Sequence, residues 1–440
     1  MYQLAIYLYL IGVVIYSRFN KKVRTMWKGE RQAIRILKEK MDPKAQYVWF
    51  HAASLGEFEQ GRPLMEQLRR DHPEYKILLT FFSPSGYEVR KDYPGADIIT
   101  YLPLDTIRNA RRFLRTVRPV MAFFIKYEFW YNYLHILKHR GIPVYSVSSI
   151  FRPGQVFFRW YGHNYSHVLK CFTRFFVQNE QSRQLLATIG ITNVDVVGDT
   201  RFDRVLQIKD QAKNLDIVSS FVSTDRKVFV VGSSWEPDED IYIPYMADKP
   251  WKLIIATHVV SPERISLLRQ RLEAQGKQVL LYSEAQAAAT DPALLWPEFK
   301  KEHSNGEDVG MPNYPEMISQ AIQSKDVLII DCYGLLSSIY RYADVCYIGG
   351  GFGVSIHNTL EAAVWGKPVI FGPNNQKFQE AQDLKACEGG FEITDAQSFA
   401  NLMDRFSSDP DYLSYSSRKA GDYVADHVGA TQKILAATLY

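Results

Sequence analysis

Asp326–Lys377 reads DVLIIDCYGLLSSIYRYADVCYIGGGFGVSIHNTLEAAVWGKPVIFGPNNQK, and its order of elements decides the fold. A short apolar run (VLII) leads through a polar loop into a helical pattern. A second run (VCYI) then ends in Gly349-Gly350-Gly351, a helical pattern follows from about Ile356 to Gly366, and a third run (PVIF) closes on a further loop. Short Val/Ile-rich runs separated by helical segments predict a parallel sheet with crossover helices, because parallel strands are covered on both faces and read as continuous apolar stretches.

Working outward, the same alternation fills the chain. Strands are expected over Tyr47–Ala52, Lys76–Phe82, Val120–Ile125, Val144–Ser148, Arg174–Val177 and Val194–Val197. After the polar, strandless stretch Leu206–Thr224 they resume over Val228–Val231, Lys252–Ala256, Gln278–Tyr282, Asp326–Ile330, Val345–Ile348 and Pro368–Phe371. A chain of 440 residues suits two cores of this size. The expectation is therefore an α/β protein with two Rossmann-like domains facing a central cleft: residues 21–215 binding an acceptor and residues 216–440 binding a nucleotide. With 46% hydrophobic and 23% charged residues the composition is globular, and a net charge of +4 gives no reason to expect nucleic acid as a partner. The four cysteines (Cys171, Cys332, Cys346, Cys387) are scattered without a C-x-x-C spacing; they predict neither zinc nor a disulfide framework, and Cys332 and Cys346 read as buried thiols.

The first twenty residues stand apart. Leu4 to Tyr16 is almost wholly apolar, and Arg18, Lys21, Lys22, Arg24 and Lys28 follow at once. That pattern predicts a membrane-anchor helix over residues 1–20 with the rest of the chain on the cytoplasmic side. Whether it spans the membrane, lies in its surface or packs on the protein stays open, the tyrosines at 2, 7, 9 and 16 suiting an interface.

Candidate site residues follow from position. Gly349, Gly350 and Gly351 leave a strand at its carboxyl end, where ligands bind in open α/β sheets, and bare backbone amides can approach a phosphate there. Glu361 lies one helical turn beyond His357 and Asn358 and could accept both hydroxyls of a ribose; His357 is a ligand-binding or a packing histidine. In His51-Ala52-Ala53-Ser54-Leu55-Gly56-Glu57, Ser54 and Glu57 have capping-box spacing, so Glu57 is either a cap or a catalytic base at a strand end. Glu128, among Tyr127, Phe129 and Trp130, is a second acid whose aromatic surroundings would raise its pKa, or a loop partner of Lys126. Arg108, Arg111, Arg112 and Arg115 recur at helical spacing opposite Ala110, Phe113, Leu114 and Val117. This cationic face is either simply solvated or lies against an anionic membrane or lipid phosphates.

The segments HAASLGEFEQGRPL, KYEFWYN, GDTRFDR, GSSWEPDED and GGGFGVSIHNTLEAAVWGKPVIFGPNNQKFQEA resemble, in order and spacing, the Kdo transferases. These enzymes attach 3-deoxy-D-manno-octulosonic acid to a lipid A precursor in lipopolysaccharide biosynthesis. The resemblance runs from about Trp27 to Gly390. It implies a GT-B glycosyltransferase at the cytoplasmic face of the bacterial inner membrane, with CMP-Kdo as donor, inversion at the anomeric carbon and no metal or other cofactor. It implies Glu57 as the base, with Glu128 in the second acidic motif and His258 beside the nucleotide. Lys126 stands where the family has glutamate, Thr257 where it has arginine and Leu335 where it has glutamate, so Lys126 or Arg264 would have to supply missing charge. Rival readings are a GT-B enzyme using a UDP- or GDP-sugar and a non-catalytic membrane-surface scaffold.

Overall fold

The computed structural model describes residues 2–288 and 314–439 and divides into two compact units. The first comprises Met1–Arg204 and His427–Tyr440, the second Val205–Asp426.

The first unit is built on seven parallel strands: β1 (Gln46–Ala52), β2 (Tyr75–Phe81), β3 (Ile98–Tyr101), β4 (Met121–Ile125), β5 (Val144–Ser149), β6 (Arg174–Val177) and β7 (Val194–Val196). They lie in the order β3-β2-β1-β4-β5-β6-β7. β1 pairs in register with β2 on one side and β4 on the other, so the winding reverses between β1 and β4. Successive residues of β1 feed opposite faces of the sheet: Trp49 joins one apolar core with Phe113, Phe124 and Tyr133, and Phe50 joins the other with Phe58, Phe81 and Phe123.

The second unit repeats the architecture with β8 (Val228–Ser234), β9 (Lys252–Thr257), β10 (Val279–Leu281), β11 (Val327–Ile330), β12 (Val345–Ile348), β13 (Val369–Phe371) and β14 (Gly390–Glu392). Their order is β10-β11-β9-β8-β12-β13-β14, and here the reversal falls between β8 and β12. Every residue of β11 and β12 is buried, which is why both read as unbroken apolar runs. The strands not anticipated, β3 and β14, are outermost strands of four and three residues.

The C-terminus departs from the expected division. Residues 427–440 belong to the first unit, where Asp203 accepts from the amides of Gly429 and Thr431 (2.5 and 2.7 Å) and Ile434 and Leu435 enter the apolar core of Phe50 and Phe58.

The N-terminal helix also differs from expectation. It covers Tyr2–Tyr16, 15 residues, or about 22 Å at 1.5 Å per residue against a hydrocarbon layer of about 30 Å. Among the described residues no helix is long and apolar enough to cross a membrane. One side of this helix packs on its own unit: Val13 is buried, Tyr2 donates to Asp105 (2.6 Å) and stacks on Tyr131, and Gln3 donates to Asn132. The opposite side exposes Leu4, Leu8, Ile11 and Ile15. A basic helix, Lys21–Lys40, follows. It buries Glu30, whose carboxylate accepts from the Leu104 amide (3.1 Å) and whose pKa burial pushes up to about 8.

Candidate active site

Loops at the carboxyl ends of strands flanking a sheet reversal are where α/β proteins bind ligands, and in each unit the sequence-derived candidates gather there.

In the first unit the loop after β1 leads into the helix Leu55–Asp71, and the loop after β4 carries Glu128. Glu57 accepts from the Ser54 amide at 3.0 Å, so the capping role is real. It is not the whole account. Burial and the nearby Glu128 carboxylate push the Glu57 pKa above the usual carboxylate range, opposed by His51 and by backbone amides. That brings the group toward the range where a carboxylate serves as a general base near neutral pH.

Glu128 is held rather than free. It accepts from Trp130 Nε1 at 2.6 Å and lies 3.2 Å from His51 Nε2. His51, fully buried on β1, sets its other ring nitrogen 2.9 Å from Thr80 Oγ1, which in turn accepts from Trp49 Nε1 at 2.8 Å. Glu128 is thus clamped between a histidine and a tryptophan. Lys126 has a left-handed backbone (φ 61°) that turns the chain between β4 and Glu128. Such a conformation costs a non-glycine residue about 1–3 kcal/mol and persists where surrounding structure enforces it. His51 was the residue that sequence reasoning passed over. Its signal was a polar residue inside an otherwise apolar strand.

The arginines lie elsewhere in this unit, on the helix Ile107–Val117. Ala110, Phe113, Leu114 and Val117 face the core, and Arg108, Arg111, Arg112 and Arg115 are exposed. With Lys38 they line a cavity of about 530 Å³.

In the second unit the glycine turn follows β12, and the amides of its first two glycines, expected to face a phosphate, are bonded within the protein. Gly349 donates to the Gly232 carbonyl (2.9 Å), and Gly350 donates to Asp238 Oδ2 (2.8 Å). The glycines are required for packing. A Cβ on Gly349 would stand 2.2 Å from Ser233 O, one on Gly351 2.6 Å from the Gly372 backbone, and Gly350 has φ 92°. Asp238, buried at the start of the helix Glu236–Met246, organises the turn by also accepting from Trp235 N (3.0 Å) and Tyr347 Oη (2.9 Å). These partners could not be read from the sequence.

The helix expected from Ile356 to Gly366 is one turn, Leu360–Ala363, so it brings no helix dipole to a phosphate. Asn358 donates to Glu361 Oε1 at 3.0 Å and accepts from the Leu360 amide, joining two of the predicted residues. His357 is drawn away from them. Its ring stacks on His258 (centroids 4.4 Å apart, planes 23°), which stacks on Trp235 (4.6 Å, 24°). Arg264 does not replace the missing charge at Thr257, because its guanidinium is bonded to the buried Glu239, as is that of Arg271. The four cysteines are free thiols; Cys346 is buried, whereas Cys332 is only half-buried. Among the described residues no group of three or more His, Cys, Asp or Glu is arranged to hold a metal ion.

Comparison with known proteins gives this arrangement its context. Residues 27–204 match the family model of the 3-deoxy-D-manno-octulosonic-acid transferases (kdotransferases). A 3-deoxy-D-manno-octulosonic acid transferase of Bordetella pertussis is 26% identical over 418 residues, covering 89% of this chain and 87% of that protein. One from Aquifex aeolicus is 25% identical over 350 residues, covering 79% and 82%. Among solved structures, UDP-GlcNAc 2-epimerase from Neisseria meningitidis superposes with a TM-score of 0.53 at 14% identity, over 90% of this chain and 100% of that one. That likeness speaks for the fold alone: two parallel-sheet α/β units of the kind found in GT-B glycosyltransferases. The family model thus falls on the first unit, and the relatives to which most of the chain is similar are 3-deoxy-D-manno-octulosonic acid transferases, which are glycosyltransferases.

Proposed function

We propose that this protein transfers Kdo from CMP-Kdo to a lipid A precursor, with inversion and without a metal ion, at the cytoplasmic face of the bacterial inner membrane. The observation that carries the reading is the half-buried Glu57, held at a sheet reversal beside Glu128 with its pKa pushed up by desolvation and by that second carboxylate.

In this mechanism Glu57 takes the proton of an acceptor hydroxyl as that oxygen attacks C2 of Kdo. The new C–O bond forms on the face opposite the phosphate, and the C2–O bond to the phosphate breaks, so CMP leaves with the electron pair. A positioned base contributes about 10²–10⁴ in rate. Glu128, fixed by His51 and Trp130, keeps a second negative charge near Glu57 and raises its basicity. In the second unit Glu361, steadied by Asn358, would accept the ribose hydroxyls, while His258 and His357 would meet the phosphate. The glycine turn then serves as the floor under His357 and not as the phosphate cradle itself.

The exposed apolar side of the Tyr2–Tyr16 helix and the arginine cavity support a membrane-surface location. Such a helix would lie in the interface, with cations against anionic headgroups.

The test is direct. Incubated with freshly generated CMP-Kdo and a tetraacyl disaccharide phosphate acceptor, the protein yields a product heavier by one or more Kdo units in the mass spectrum. An acceptor of unchanged mass would overturn the reading. Transfer from a UDP- or GDP-sugar instead would move it to another donor class.

A further inference from the structure

Trp235, His258 and His357 come from three different loops, after β8, β9 and β12, and form one ladder of stacked rings. The backbone holds each rung. β8 carries an irregularity between Gly232 and Ser234, where Ser233 adopts φ 55° and swings the chain so that Trp235 leaves the sheet. The His258 amide donates to the Ser234 carbonyl (3.0 Å), and the His357 amide donates to Gly349 O (3.2 Å). Gly350 makes room for the last ring: a Cβ there would come within 3.3 Å of His357 Cδ2 and Nε2.

Trp235 Nε1 lies 3.3 Å from His357 Nε2. Indole nitrogen only donates, so His357 Nε2 must offer its lone pair, and in a neutral imidazole the proton then sits on Nδ1. Protonating Nε2 would turn two N–H groups against each other and place a cation beside a second imidazole.

We propose that Trp235 is a positioning residue: it locks His357 as the neutral Nδ1–H tautomer, so that His357 presents one N–H donor, and no positive charge, to an anionic oxygen of the donor substrate. The ligand class is a phosphate or carboxylate oxygen, and that clause rests on the proposed transfer from CMP-Kdo. The ionisable groups around the ring agree with a neutral state. Burial, and after it His258, lower the His357 pKa, Asp238 is turned to the Gly350 amide beneath, and Glu361 on the same segment is bonded to Asn358. A neutral donor also means that His357 does not compensate for the arginine missing at Thr257.

Nitrogen NMR of the full chain, with ¹⁵N-labelled histidine and no ligand, reads the tautomer itself. The expected spectrum at pH 7 shows His357 with a protonated Nδ1 and an unprotonated Nε2, and titration of that ring displaced below the usual imidazole range. Trp235→Phe keeps an aromatic rung but removes the N–H. In this variant His357 is expected to titrate at higher pH than in wild type, and affinity for cytidine 5′-monophosphate becomes about threefold or more tighter at pH 6 than at pH 8, a dependence weaker or absent in wild type. A wild-type ring protonated at Nε2, or the same His357 titration in both proteins, would overturn the proposal. If wild type shows the Nδ1–H tautomer yet does not bind the mononucleotide, the lock stands and the donor reading falls.

Discussion

The two units place their reversal loops at equivalent points of two seven-stranded parallel sheets and fill them with opposite chemistry. At β1/β4 the loops bring acids together: Glu57 on an amide cap and Glu128 between His51 and Trp130. At β8/β12 the buried acid Asp238 turns inward to tie down a glycine turn, its buried neighbour Glu239 is bonded to Arg264 and Arg271, and a ladder of aromatic rings stands at the surface. The same backbone device serves both. Lys126 after β4 and Ser233 in β8 each adopt a left-handed conformation that turns the following residues out of the sheet. The topology therefore supplies the location, and under the proposed function a few side chains would decide whether that location removes a proton or receives an anion.

The largest expected effect separates the units by pH. Glu30 belongs to the first unit only, with its pKa raised from 4.5 to about 8. Between those values the folded state retains a proton that the unfolded chain has released. Stability of this unit therefore falls as pH rises from about 4.5 to 8 and levels off above, by about 3–5 kcal/mol in all. Glu30→Gln, which mimics the protonated form, is expected to flatten that slope in urea melts across the same range. An unchanged slope would mean that Glu30 is ionised in the fold.

Next in size is a pair of glycine substitutions. Gly350→Ala meets Ser355 O at 2.4 Å from a backbone at φ 92°, and a strained, overpacked site of this kind costs about 2–4 kcal/mol. Gly56→Ala, beside Glu57 in the first turn of a helix, has no atom within 4 Å of the new Cβ and should be neutral or stabilising by up to about 1 kcal/mol. Chemical denaturation of both variants checks the contrast; equal effects would erase it.

The smallest concerns the arginines. Arg111→Gln with Arg112→Gln should weaken sedimentation with anionic vesicles by about 1 kcal/mol per charge removed, and the difference should vanish in high salt. Neutral phosphatidylcholine vesicles should not distinguish the variant from wild type. Unaltered binding to anionic vesicles would leave the arginine face merely solvated.

Much of the fold was legible because both sheets are covered on two faces. Val327–Ile330 and Val345–Ile348 have no solvent-facing position, so each reads as an unbroken apolar run. β3 and β14 were not anticipated, although the equally short outermost strands β7 and β10 were. The stretch after Ile356 misled in the other direction, since Leu360, Glu361, Ala362 and Ala363 favour helix locally while tertiary bonds restrict it to one turn. Return of residues 427–440 to the first unit was invisible, being fixed by Asp203 more than two hundred positions away. In the site, Glu57 and Glu128 announced themselves by standing just past strand ends. Asp238, Trp235 and His51 did not, because their meaning lies in partners: Trp235 meets His357 across 122 positions, and His51 meets Glu128 across 77.

The central claim is that the acidic reversal loop performs the proton removal while the other unit holds the donor. It is tested most directly by Glu57→Gln, assayed in parallel for Kdo transfer by product mass and for cytidine 5′-monophosphate binding by calorimetry. The account predicts a loss of transfer of about 10²–10⁴ with mononucleotide affinity within about twofold of wild type. Near-normal turnover, or a loss of binding matching the loss of transfer, would contradict it.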